Sequence, residues 1–174
     1  MKTTLYSITL PIFAKHLNSL TGLLDKAEAF AAGDETKLEA LLQDKLYEDM
    51  FPFGKQIEVT CDNAKGLAAR LSGKEAPSYE DGDYAVDTLR MRIKNTIAYI
   101  STITEKDFEG AEDREVILKY LPNNPMSGFG YATEYAIPNF FFHAATAYGI
   151  LRKNGIAIGK MDFITSLPFR EDPV

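Results

Sequence analysis

The sequence predicts an all-α fold: a four-helix bundle with a small β-hairpin between helices three and four. Two observations carry this. Apolar residues recur three or four positions apart through four long segments, the spacing that places them on one face of a helix. Only one stretch between them is β-branched or alternates apolar with polar residues. Length agrees, since 174 residues of which 45% are hydrophobic suit a single domain over residues 1–174, with a core that needs no disulfide or structural metal.

The first helix is read from Phe13, Leu17, Leu20, Leu24, Ala27 and Ala31, ending near Ala32 with Gly33 as a left-handed cap. A shorter piece follows from Asp34 to Leu46, with Leu38, Leu41, Leu42 and Leu46 on one side. The second long helix carries Met50, Phe53, Ile57, Cys61, Ala64, Ala68 and Leu71, admits Pro52 only in its first turn, and closes at Ser72-Gly73. Tyr47, Glu48 and Asp49 are placed to cap its start. Gly73 to Asp83 has linker chemistry. The third helix is the stripe Val86, Leu89, Ile93, Ile97, Ile100, with Asp83 as N-cap. Glu115–Leu121 and Gly128–Tyr135 read as the hairpin strands, joined at Pro122-Asn123-Asn124-Pro125, the second alternating Phe129, Tyr131, Thr133 and Tyr135. The fourth helix runs from Ile137 to Lys153, starting at Pro138 and ending at Asn154-Gly155, with Arg152 and Lys153 complementing its dipole.

Composition narrows the function classes. With 19 Lys plus Arg against 25 Asp plus Glu, a net charge of −6 and no basic block, the chain has the opposite balance to a nucleic-acid binder. No apolar run approaches the ~20 residues needed to cross a bilayer, and Thr3–Phe13, interrupted by Ser7 and Pro11, lacks the cleavage motif of a signal peptide. A single cysteine forms no intrachain disulfide, so a cytoplasmic location is expected. Cys61 lies mid-stripe and reads as a packed, inert thiol. Gly128-Phe129-Gly130 lacks the third glycine and the Lys-Ser or Lys-Thr of a phosphate loop and reads as a turn.

One feature stands out chemically. Asn139, His143 and Thr146 stand at i, i+4 and i+7 on an otherwise apolar fourth helix, forming a polar strip. A buried imidazole needs partners for its ring nitrogens, so His143 is either a metal ligand or general base, or a core histidine bonded to a neighbouring helix. Metal sites normally show three or more ligands, which favours the core reading. The second helix offers Gln56, Thr60 and Asn63 opposite, and amides orient water or substrate but compete poorly for zinc. Asp62 falls on the other face as a solvated or ion-paired group, and His16 reads as a surface histidine.

Several segments carry a resemblance. Leu5-Tyr6, Leu23-Leu24-Asp25-Lys26-Ala27, Asp49-Met50-Phe51-Pro52, Gln56, Cys61-Asp62-Asn63-Ala64-Lys65-Gly66, the run PNFFFHAATAYGILRKNG and Ile158–Phe163 together resemble a domain-of-unknown-function family within the DinB/YfiT-like superfamily of metal-dependent enzymes, over about Leu5 to Phe163. The resemblance implies a four-helix bundle with crossover connections, commonly a homodimer. Metal-binding members of that superfamily carry one histidine on helix two and a His-x-x-x-His pair on helix four, followed in some by a polar residue. Matched here, the pair becomes Asn139 and His143, with Thr146 in the following slot and Gln56 and Asn63 in the helix-two slots. One imidazole where three are expected implies a degenerate zinc or nickel site. The expectation is a small-ligand-binding or non-catalytic protein, with a hydrolase or thiol transferase using His143 as the alternative. The Gly159–Phe163 segment belongs to the resemblance, but no chemistry follows from its residues.

Overall fold

The computed structural model describes residues 3–169. Helix α1 spans Leu10–Ala31, α2 Glu35–Gln43, α3 Phe53–Ser72, α4 Val86–Ser101 and α6 Ile137–Lys153, with short helices α5 (Gly128–Gly130) and α7 (Lys160–Ile164). Helices α1, α3, α4 and α6 form the bundle, and the stripes read from sequence meet inside it. Phe13, Leu17, Leu20 and Leu24 of α1, Phe53, Ile57, Cys61, Ala64, Ala68 and Leu71 of α3, Leu89 and Ile93 of α4, and Phe140, Ala144 and Leu151 of α6 are all buried. At the centre Phe13 and Phe140 stack with ring centroids 4.0 Å apart.

Helix starts and stops differ in detail. Helix α1 begins at Leu10, one turn before the predicted stripe, because Pro11 sits in the first turn where no N–H is needed. Ala32 takes the left-handed cap at φ 53, one residue ahead of Gly33. Asp34 caps α2 by accepting from the Lys37 N–H, and α2 stops at Gln43, so Leu46 stands 43% exposed beyond it. No side chain caps α3; its first N–H, on Phe53, donates to the Asp44 carbonyl, which replaces the expected role of Tyr47, Glu48 and Asp49. Asp83 does brace the start of α4 by accepting from the Ala85 N–H and the Thr88 hydroxyl, although Ala85 is the N-cap.

The connection between α3 and α4 is a crossover. Its residues run back along α3: the Tyr79 ring lies 4.1 Å from Lys65 Nζ, Asp81 bonds Lys55, the Gly82 N–H donates to Glu58, and Tyr84 covers Gly54. Helices α3 and α4 are therefore parallel, as the resemblance implies. Gly54 permits this covering, because a Cβ there would lie 2.4 Å from the Tyr84 ring.

The hairpin differs most from expectation. It lies between α4 and α6 as predicted, with β1 Glu115–Leu118 antiparallel to β2 Leu121–Ser127. Leu118 pairs with Leu121, so the turn is Lys119-Tyr120 and not Pro122–Pro125. Those prolines sit inside β2, tolerated because each strand of a two-stranded sheet has a free edge. Gly128–Tyr135 is not a strand. It is α5 followed by a π-turn over Tyr131–Ala136 that runs straight into α6. Ser127 caps this helical run by accepting from the Gly130 N–H. Gly128 has no room for a side chain, since a Cβ would fall 1.8 Å from the Ala111 carbonyl oxygen. Gly128-Phe129-Gly130, expected to be a turn, is thus the start of the last long helical segment. No helix among the described residues is long and apolar enough to cross a membrane.

Candidate functional site

The site lies on the seam between α3 and α6, which run antiparallel. Gln56, Thr60 and Asn63 follow one another at i, i+4 and i+7 on α3, and Asn139, His143 and Thr146 do the same on α6. Opposed directions pair early with late: Asn139 Nδ2 donates to Asn63 Oδ1 at 2.8 Å, and His143 Nδ1 lies 2.6 Å from Gln56 Oε1. Gln56, Asn63 and His143 are all buried, at 1%, 9% and 8% exposure. The two threonines turn away from the seam. Thr60 donates to the Gln56 carbonyl and Thr146 to that of Phe142, each closing onto its own helix. Thr146, a predicted binding residue, is buried without joining the other four.

The hydrogen bonds fix the chemistry of His143. Gln56 Nε2 donates to the Phe51 carbonyl at 2.9 Å, so the amide oxygen faces the imidazole and Nδ1 carries the proton. In the neutral ring Nε2 is then a lone-pair acceptor, and it has no hydrogen-bond partner among the described residues. Burial holds the His143 pKa below its ordinary value of 6.5. The ring is neutral at pH 7, flanked by Phe142 at 5.2 Å, edge to face, and by Phe51 at 6.3 Å, near parallel. Both phenylalanines are half exposed.

Beyond Asn139 the polar line continues into residues the sequence reading did not assign to the site. The Tyr135 hydroxyl lies 3.4 Å from Asn139 Nδ2 and contacts the Tyr120 hydroxyl on the hairpin turn. Tyr131 stacks on Tyr135 and accepts from Arg70 at 3.1 Å. A signal for these residues was present. Tyr131, Tyr135, Asn139 and His143 are each four positions apart, but reading Gly128–Tyr135 as a strand placed the tyrosines on another element. Phe51 and Phe142 carried no such signal, since their role depends on how the loop before α3 meets α6.

The other face of α3 holds a different cluster, equally unforeseen. Arg92 of α4, 6% exposed, reaches Asp62 at 2.9 Å, Asp81 at 2.8 Å and Glu58 at 3.5 Å, and donates to the Glu80 carbonyl. Lys55 completes the ring of charge by pairing with Glu58 and Asp81. Asp62 is therefore the ion-pair partner expected of it, bonded also to Lys65. Cys61 is buried beside this cluster, and burial pushes its thiol up to about 12, which keeps it protonated and inert. His16, expected at the surface, is 9% exposed: Phe163 of α7, a helix the sequence reading did not anticipate, lies 5.2 Å from its ring.

Among the described residues no three His, Cys, Asp or Glu side chains converge to hold a metal ion. The donor set around His143 does not fit zinc or nickel, because the imidazole meets the Gln56 amide and two phenylalanine rings and, among the described residues, no group of three His, Cys, Asp or Glu includes it. Two surface clefts lie elsewhere: about 640 Å³ between Glu28, Leu38, Glu39, Tyr84 and Asp87, and about 480 Å³ beside Glu58, Tyr79 and Arg92. His143 lines neither of these clefts.

The family described as Domain of unknown function (DUF1993) matches residues 5–164. The chain belongs to the DUF1993 family. That match spans the whole bundle, from the turn before α1 to the end of α7. Among solved structures, the crystal structure of a DinB family member protein from Shewanella denitrificans at 1.83 Å resolution is similar to this DUF1993 chain, with a TM-score of 0.91 and 37% sequence identity. It covers 96% of this chain and 95% of that one. A search of curated proteins gave no match.

Proposed function

We propose that this DUF1993 protein is a non-catalytic binding member of the DinB-like fold, in which the place of a metal between α3 and α6 is held by a neutral imidazole–amide seam. One observation carries the reading: His143 spends Nδ1 on Gln56 and Asn139 spends its amide nitrogen on Asn63, while the His143 Nε2 lone pair has no partner among the described residues. Such an acceptor between two half-exposed phenylalanine rings suits a small planar molecule with an N–H or O–H donor. Gln56, Asn63 and Asn139 hold the seam in register, and His143 makes the contact.

Two measurements test this. Metal analysis of untagged protein refolded with zinc or nickel should give less than about a tenth of an equivalent, and a stoichiometric ion would overturn the reading. Titration with benzamide as a planar N–H donor should shift the His143 ring-nitrogen signal in wild type and not in Phe51→Ala/Phe142→Ala; an unmoved signal in wild type counts against the ligand. The hydrolase or thiol transferase alternative has one observation in its favour, since a neutral Nε2 lone pair is also a general base. It requires turnover that disappears in His143→Gln. The homodimer implied by the superfamily is a separate proposal, read by light scattering as a mass twice the 19.4 kDa of one chain.

A further inference from the structure

His16 has surroundings that nothing in the seam explains. Its side chain is 91% buried on α1 and its Nδ1 is buried with no hydrogen-bond partner. Phe141 of α6 meets the ring edge to face at 4.9 Å, and Phe163 of α7 covers it at 5.2 Å. Helix α7 holds its place lightly. None of its five residues is buried, Met161 is half exposed, and beyond it Leu167 and Phe169 face solvent. Thr165, just after α7, has a φ of 62, a conformation that strains a β-branched residue. Besides Phe163, the segment is tied down by Lys15 Nζ donating to the Ser166 carbonyl, while just before it the Tyr148 hydroxyl donates to the Ile158 carbonyl at 3.5 Å.

We propose that the segment from Gly159 to Phe169 is a strap that closes over His16 while its ring is neutral and is released when the ring gains its second proton. A charged imidazole would hold two N–H donors in an aromatic cage where Nδ1 has no acceptor, and release returns it to water. The charged groups around it give no relief. On α1 the neighbour is the cation Lys15; α6 contributes Phe141 and Tyr148 and no charge; on α7 the Asp162 carboxylate accepts the Gly159 N–H at 2.7 Å and Lys160 is cationic. Burial, then Lys15, lowers the His16 pKa from 6.5, outweighing the Phe163 backbone that raises it. The sign follows: the closed form binds its second proton less readily than the open form, so closure holds above about pH 6.5 and weakens as pH falls. Release uncovers the His16 ring and the Tyr148 ring, which meets Phe163 at 6.0 Å.

Native-state hydrogen exchange on the full chain tests this, with rates corrected for intrinsic exchange. The reporters are the Asp162 and Thr165 amides, bonded to Gly159 and Met161 carbonyls. Their protection should fall about tenfold between about pH 7.5 and about pH 5 and stay insensitive to low denaturant, while the α3 core amide of Ile57 stays better protected at every pH and responds to denaturant as global unfolding does. His16→Phe, or His16→Gln if the larger ring does not fold, should abolish the fall, and Phe163→Ala should be poorly protected at both pH values. Constant protection in wild type, an equal fall in the His16 variants, or a denaturant response of the strap amides that matches the core's would each overturn the strap.

Discussion

The two faces of α3 solve the same problem with opposite chemistry. Toward α6, Gln56 and Asn63 bridge to His143 and Asn139 with uncharged groups. Toward α4 and the crossover, Glu58 and Asp62 meet Arg92 with full charges. The difference follows from what each face must hold. The α3–α6 seam joins two packed helices, and a neutral amide–imidazole pair costs little to bury once both partners are satisfied. The other face must fasten a loop that has no apolar stripe of its own, so it relies on charge, with Arg92 reaching α3 and two residues of the crossover at once. Among the described residues the two faces leave different groups open: an imidazole acceptor, His143 Nε2, on the neutral face, and a buried guanidinium donor, Arg92 Nε, on the charged one.

Breaking the charged face should have the larger effect. Arg92→Ala leaves Glu58, 1% exposed, without its guanidinium and frees Asp62 and Asp81, so denaturant unfolding should show a loss of about 3 kcal/mol or more. Arg92→Met, which keeps the volume but not the charge, should restore little of it; full recovery would mean that packing, and not charge, holds the crossover.

On the neutral face, His143→Ala should cost about 1–3 kcal/mol by leaving the Gln56 oxygen unpaired. His143→Leu as stable as wild type would show that the imidazole–amide bond contributes nothing net. Acid separates the faces further. His143 and His16 both have pKa values lowered below 6.5 by burial, so each folds with fewer protons than it binds unfolded. Their contribution is complete above about pH 6.5 and drains away as pH falls toward the lowered values. Asp81 is also lowered, from 3.8, chiefly by its bond to Lys55, so its contribution is lost only below about pH 3.8. A plot of stability against pH should fall in two stages, and His143→Gln should flatten only the first. The smallest effect is expected at Arg90, whose pairs with Asp25 and Glu28 join α4 to α1 in solvent. Arg90→Ala should change stability by less than about 1 kcal/mol, and less still in high salt.

Residue spacing made much of this legible. Gln56, Asn63, Asn139 and His143 could be grouped because i, i+4 and i+7 positions share a helix face whatever the helix packs against. Pairing them took the antiparallel docking of α3 on α6. Tyr135 escaped because Phe129, Tyr131, Thr133 and Tyr135 alternate as a strand would, while the helix depends on the Ser127 cap and the fit of Gly128 against Ala111, both set by distant chain. Arg92 escaped for a related reason. An arginine beside the stripe Leu89–Ile93 reads as solvated until the crossover carboxylates are brought to it.

By itself, then, the sequence determined the periods: which faces of α1, α3, α4 and α6 are apolar, where polar residues interrupt them, and that a lone imidazole stands in the polar strip of α6. These are local quantities, written into each helix by its own spacing. Only the tertiary structure decided which polar groups meet. It buried His16 under Phe163, turned the Asn and Gln amides into partners for Asn139 and His143, and folded Asp81 back over Arg92. The physical reason is reach, because a hydrogen bond or ion pair forms only within about 3 Å, and helix direction and crossover path alone bring Asn63 to Asn139 and Gln56 to His143 at that distance.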